Sequence, residues 1–123
     1  MNMKKLLLII IPLIFAACSS KNSSVQSLNQ AWNLTADTLD IDLQVNVPSV
    51  VQADLYGAGL IPHPYLGAVE GELQWIPQHT WDYSLRFSVN DAVWQNDKID
   101  LVFNGLDTYA DVWLNGEKIL HSD

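Results

Sequence analysis

Apolar and polar residues alternate one-for-one in four separate stretches of this chain. Leu39 to Val47 runs without a break until Pro48, and Trp81 to Val89 does the same until Asn90-Asp91. Lys98 to Asn104 carries Ile99, Leu101 and Phe103 on one face, and Ala110, Val112 and Leu114 alternate with Tyr109, Asp111 and Trp113. A period of two is that of a strand with one face buried. Asn115-Gly116 supplies the pair of positive-φ residues that a tight hairpin turn needs, so Glu117 to Leu120 is read as the return strand. Trp32 to Ala36 is a weaker sixth strand. A helical period is confined to Val50–Tyr56, with Ser49 as its expected cap and Gly57 and Gly59 as its stop. Short strands separated by turn signals predict an all-β fold, an antiparallel β-sandwich of jelly-roll type. The chain stops three residues after Leu120, and a returning strand cut so short predicts an incomplete module.

Between Gly57 and Thr80 the alternation disappears. Long irregular segments inside compact domains tend to carry function or form interfaces.

The N-terminal end has a different pattern. Lys4 and Lys5 precede an apolar run from Leu6 to Ala17, shorter than the roughly 20 residues a membrane span requires. That layout predicts a secretory signal over residues 1–17. Phe15-Ala16-Ala17-Cys18 resembles the bacterial lipobox, which makes Cys18, the single cysteine, the expected lipidation site. Several acyl chains give stable anchoring where one does not. The serine-rich segment that follows is a polar tether over residues 18–29, leaving 30–123 for the folded domain. The expected location is exported and lipid-anchored to the bacterial cell envelope, in the periplasm or at the outer membrane.

Removing residues 1–17 leaves 106 residues and moves the net charge from −8 to −10. That size suits one domain with one core. The negative charge disfavours phosphate backbones and so excludes nucleic acid as a partner. His63, His79 and His121 have no metal-site spacing. No phosphate loop, nucleophilic triad or redox motif is present, and no cofactor is predicted.

Gly59-Leu60-Ile61, Pro64-Tyr65, Gly67, Glu70, Leu73-Gln74-Trp75-Ile76, Trp81, Tyr83 and Phe87 occur in that order. Leu101-Val102-Phe103, Gly105-Leu106-Asp107-Thr108 and Leu114-Asn115-Gly116 continue the series, and Trp32-Asn33-Leu34 and Val47-Pro48 precede it. This succession resembles the N-terminal, galactose-binding-domain-like sandwich of bacterial and animal β-mannosidases, in glycoside hydrolase family 2. His63 stands where that family commonly has an acid or amide, and Val69 where it usually has asparagine. The resemblance implies a retaining exo-glycosidase that removes terminal β-mannose from oligosaccharides. Its chemistry needs two carboxyl groups about 5–5.5 Å apart, which the family places as glutamates on a later barrel domain. The glutamates here are Glu70, Glu72 and Glu117, and none fits that pair. The tryptophan-aspartate-tryptophan-glycine-proline stretch with which the family's domain reaches the active site is also missing. The resemblance therefore implies a non-catalytic part of a longer enzyme, with no catalytic residue of its own. The alternative is a stand-alone carbohydrate-binding or structural surface lipoprotein.

Five tryptophans raise the question of sugar stacking. Trp81 is in phase with Tyr83 and Leu85 and belongs to the core. Trp113 is out of phase with Val112 and Leu114 and belongs on the outer face. Glu70, Trp75 and Trp113 are the candidate ligand- or domain-interface residues. Asp107 is assigned to shaping a turn through its side chain, and Trp94 has no assigned role.

Overall fold

A computed structural model describes residues 23–67, 69–107 and 109–123. The signal segment and Cys18 lie outside the described residues, as do residues 19–22 of the tether.

Strand β1 (Ala31–Ala36) lies at the centre of a three-stranded antiparallel sheet, between β2 (Asp42–Asn46) and β3 (Trp81–Ser84). The weakest strand of the sequence pattern is thus the central one. Its register sorts residue types by face. Leu34 stands opposite Leu43 on one side and Tyr83 on the other, and Ala36 opposite Trp81. The alternate face pairs Asn33 with Gln44 and Ser84, and Thr35 with Asp42 and Asp82. Gln44 Nε2 donates to Asn33 Oδ1 at 2.7 Å across that polar face.

Helix α1 (Val51–Gly57) buries Leu55 against Ile61 and Ile76, with Ile41, Leu43, Leu73, Trp75 and Trp81 packed around them. Val51 and Leu55 share a face at the i, i+4 spacing, and Asp54 sits in the first turn, where a negative charge is favoured. Ser49 is not the cap. Val50 occupies that position with no side-chain hydrogen bond, and the Ser49 hydroxyl donates instead to Asp54 Oδ1 at 2.6 Å. The helix ends as its glycines predict: Gly59 takes φ +73°, and Leu60 N–H reaches back to the Leu55 carbonyl at 2.9 Å.

The irregular stretch contains two 3₁₀ turns, Val69–Leu73 and Ile76–Gln78. Two alternating segments form less strand than their pattern predicts. Trp81–Val89 is strand only to Ser84, and the chain then enters a short helix α2 (Asp91–Trp94), capped by Asn90 Oδ1 accepting from Val93 N–H at 2.9 Å. Lys98–Asn104 forms no strand, because it has no hydrogen-bonding neighbour among the described strands. Leu39–Val47 is strand from Asp42 to Asn46.

The second sheet is the hairpin β4 (Ala110–Leu114) and β5 (Glu117–Ser122), turning at Asn115 (φ 53°) and Gly116 (φ 85°) as expected. Mostly β, with antiparallel sheets, the architecture agrees with the predicted class. No helix among the described residues is long and apolar enough to cross a membrane.

Candidate functional site

Trp75, one of the three proposed interface residues, is turned inward. It is half-buried against the Leu55–Ile61–Ile76 cluster, with its ring centroid 6.2 Å from that of Trp81 and 6.0 Å from that of His79. Trp81 donates its indole N–H to the Ile76 carbonyl at 2.9 Å, which ties the irregular stretch to β3. Trp75 is thus an anchor for the loop. Glu70 is exposed in the first 3₁₀ turn, where its carbonyl accepts from Gln74 Nε2 at 3.3 Å.

Asp54 was not legible as a special residue in the sequence. It joins three elements, accepting from Ser49 Oγ and, at 2.8 Å, from the Tyr83 hydroxyl. Burial first, and then the hydrogen bond to Asp54, pushes the Tyr83 phenol well above its ordinary range. A hollow of about 310 Å³ opens beside Asp54 between β2 and α1, lined by residues such as Leu43, Val45, Ala53 and Gly57. Each oxygen of Asp54 accepts one hydrogen bond from within the fold, so the group holds structure together. An open depression of about 600 Å³ lies between Leu101–Phe103, Leu106 and Leu120–Asp123.

Trp113 is on the outer face as its phase predicts, 61% exposed, and Tyr109, just before the same strand, is 80% exposed. Between them Asp111 accepts on Oδ1 from Lys118 Nζ at 2.8 Å and from His121 Nδ1 at 2.7 Å. Lys118, followed by His121, holds the Asp111 carboxyl below its usual range. A register shift between Val112 and Trp113 places Lys118 opposite Trp113 while His121 stays opposite Asp111. Recognising the Asn-Gly turn was enough to place Asp111 near the return strand. The register shift was not visible, and it decides which β5 residues meet the carboxylate.

Glu70 and Glu72 lie on the first 3₁₀ turn and Glu117 at the start of β5. Among the described residues no group of three or more histidine, cysteine, aspartate or glutamate side chains is placed to hold a metal ion. His63 accepts at Nδ1 from the Tyr65 backbone N–H at 3.2 Å and has its ring centroid 4.9 Å from that of Tyr56.

Comparison with known proteins gives these features a family. The model described as glycosyl hydrolase 2 galactose-binding domain-like matches residues 25–123. Beta-mannosidase A of Emericella nidulans is 38% identical over 88 residues, covering 72% of this chain and 9% of the relative. The β-mannosidase of Mus musculus is 33% identical over 119 residues, 95% of this chain and 13% of its own length. The crystal structure of the β-D-mannosidase from Dictyoglomus thermophilum superimposes with a TM-score of 0.72 at 35% identity, over 78% of this chain and 12% of that one. The chain thus spans about an eighth or less of these relatives. It belongs to the glycosyl hydrolase 2 galactose-binding domain-like family.

Proposed function

We propose that this chain supplies the non-catalytic N-terminal sandwich of a β-mannosidase-type retaining exo-glycosidase acting on terminal β-mannose of oligosaccharides. One observation carries the reading: the match to β-mannosidases extends over 95% of this chain in a single relative. A retaining mechanism needs two carboxyl groups about 5–5.5 Å apart, and the separate placement of Glu70 and Glu117 supports a catalytic domain elsewhere in a longer protein. The partners of this domain are then that catalytic barrel and, through the whole enzyme, β-mannosides.

The proposal extends to location and boundaries. Residues 1–17 direct export, Cys18 carries the lipid that holds the protein to the cell envelope, residues 18–29 form the tether, and 30–123 form the domain. Lys4 and Lys5 ahead of an apolar run, with Ala16-Ala17 before Cys18, support this.

Hydrolysis of nitrophenyl β-mannoside, β-glucoside and β-galactoside tests the activity. The longer protein is expected to prefer the mannoside, and the 123-residue chain to release no nitrophenol. Cleavage by the short chain alone overturns the non-catalytic assignment, and a preference for galactoside overturns the substrate class. Labelling with a fatty-acid analogue, lost in Cys18→Ser, tests the anchor. Label retained in that variant refutes it.

A further inference from the structure

We propose that the outer face of the β4–β5 hairpin, built from Tyr109, Asp111 and Trp113 with Lys118 and His121, is a binding site for a neutral mannose-type oligosaccharide. The mannose class rests on the glycosidase reading above; the site rests on its own geometry.

Within β4, alternation places Asp111 and Trp113 on one face, about 7 Å apart, and the exposed Tyr109 immediately precedes the strand. The hairpin's other face carries the aliphatic side: Ala110 and Val112 are half-buried there, and Val112 stands opposite Leu120. The two aromatic rings are thus not part of that apolar side, and they remain among the most exposed large side chains of the protein. Exposed aromatic groups rimmed by polar ones mark interaction surfaces.

The polar groups between the rings are ordered. Asp111 receives Lys118 and His121 on the same oxygen, Oδ1. Its Oδ2 is left to accept a hydroxyl proton, while the Lys118 ammonium has two further N–H bonds and the His121 ring a second nitrogen. A carboxylate beside an ammonium can accept from one hydroxyl of a vicinal pair while the ammonium donates to the next, both with charge assistance. Aliphatic C–H faces of a sugar ring then cover Trp113 or Tyr109. Aromatic surface with a few placed polar groups is the composition of small-molecule sites. The face is open and has an exposed aromatic group on either side of Asp111 in the chain, Tyr109 and Trp113, which suits an extended oligosaccharide over a single sugar. A net charge of −8 favours a neutral ligand over an anionic polymer.

The test is a titration of the isotope-labelled full chain with β-1,4-mannotriose, read by NMR on the indole N–H signals. Trp113 is expected to shift saturably, with a dissociation constant on the order of a millimolar, while Trp81 does not move. Trp113→Ala and Asp111→Asn should each weaken binding about tenfold, the scale of losing a central anchor. Unchanged Trp32 and Trp81 signals report that the first sheet is intact in each variant. The absence of a saturable Trp113 shift overturns the site, as does full binding by Trp113→Ala or equal binding of an oligogalacturonate. Nitrophenyl mannoside hydrolysis by the longer protein separates the two ideas. Activity without a Trp113 shift removes only this site, and a shift without activity removes only the glycosidase reading.

Discussion

The two halves of this protein bury their apolar residues very differently. Among the described residues, those from Ala31 to Ser84 contain all five buried hydrophobic side chains, Leu34, Val45, Leu55, Ile61 and Ile76. None of the described residues from Lys98 to Asp123 is buried, although Leu101, Val102, Leu114, Ile119 and Leu120 are as apolar as those in the first half. The difference is that the first has a three-stranded sheet with a helix closed over its apolar face, and the second has two strands with no helix or third strand against theirs among the described residues. A lone two-stranded hairpin is marginal in water, whereas three strands with a covering helix are not. Stability should therefore reside in the first half, and the hairpin should open by itself at small cost.

Truncating a core residue gives the largest effect and the sharpest test of this contrast. Leu55→Ala should lower the unfolding free energy by about 2–5 kcal/mol, since a fully buried leucine is replaced by a cavity. Leu120→Ala, on the aliphatic side of the hairpin where the residue is still exposed, should cost about 0.5 kcal/mol or less. Urea denaturation of both variants measures the pair, and equal losses would erase the distinction.

Tyr83→Phe comes next. It removes the hydroxyl that donates to Asp54 and leaves a half-buried carboxylate oxygen short of a donor, a loss of about 1–3 kcal/mol. The same residue gives a pH signature. Its phenol holds its proton more tightly when folded than when unfolded, so its contribution is complete below the ordinary tyrosine pKa of about 10. That contribution declines as pH rises beyond this value, because the unfolded chain ionises there first. Melting temperatures between pH 8 and 11 should fall at the alkaline end in the wild type and fall less in Tyr83→Phe. Identical alkaline slopes would argue against the Tyr83–Asp54 bond.

Gly116→Ala acts only on the second half. Gly116 holds φ at 85°, where a Cβ introduces strain of about 1 kcal/mol. Amide exchange should quicken in β4 and β5 and stay unchanged in β1. Exchange that quickens in both sheets would mean that the halves unfold as one unit.

The smallest effect is electrostatic. Lys118 and His121 depress the Asp111 pKa, so the attraction is present above the ordinary carboxylate range near pH 4 and is lost as pH falls below it. The pair is exposed, so added salt should weaken it. Chemical shifts of Trp113 followed from pH 6 to pH 2.5 at low and high salt measure the change, and Asp111→Asn should abolish it. A salt-independent response would place its origin elsewhere.

Much of the candidate site was legible in advance and some of it was not. Trp113 falls outside because its neighbours Val112 and Leu114 define the inner phase, a relation contained within five residues. Trp75 had no such phase to consult, since the loop around it follows no period, and its inward position depends on contact with Trp81 and Ile76. Asp54 and Tyr83 are 29 residues apart in sequence. Nothing local links an aspartate in a helix turn to a tyrosine on a strand.

The sequence by itself determined the family, the antiparallel β class, the hairpin with its Asn-Gly turn, and the inner or outer face of each strand residue. All of these depend on short-range stereochemistry, or on an ordered series of motifs. Tertiary structure decided which alternating segments became strands, because a strand needs a hydrogen-bonding neighbour as well as a pattern. Trp32–Ala36 lies between two neighbours and became the centre of a sheet; Lys98–Asn104 has none and did not. It also decided the register that brings Lys118 and His121 to one carboxylate oxygen, since a one-residue shift inside a hairpin reorders every pair beyond it.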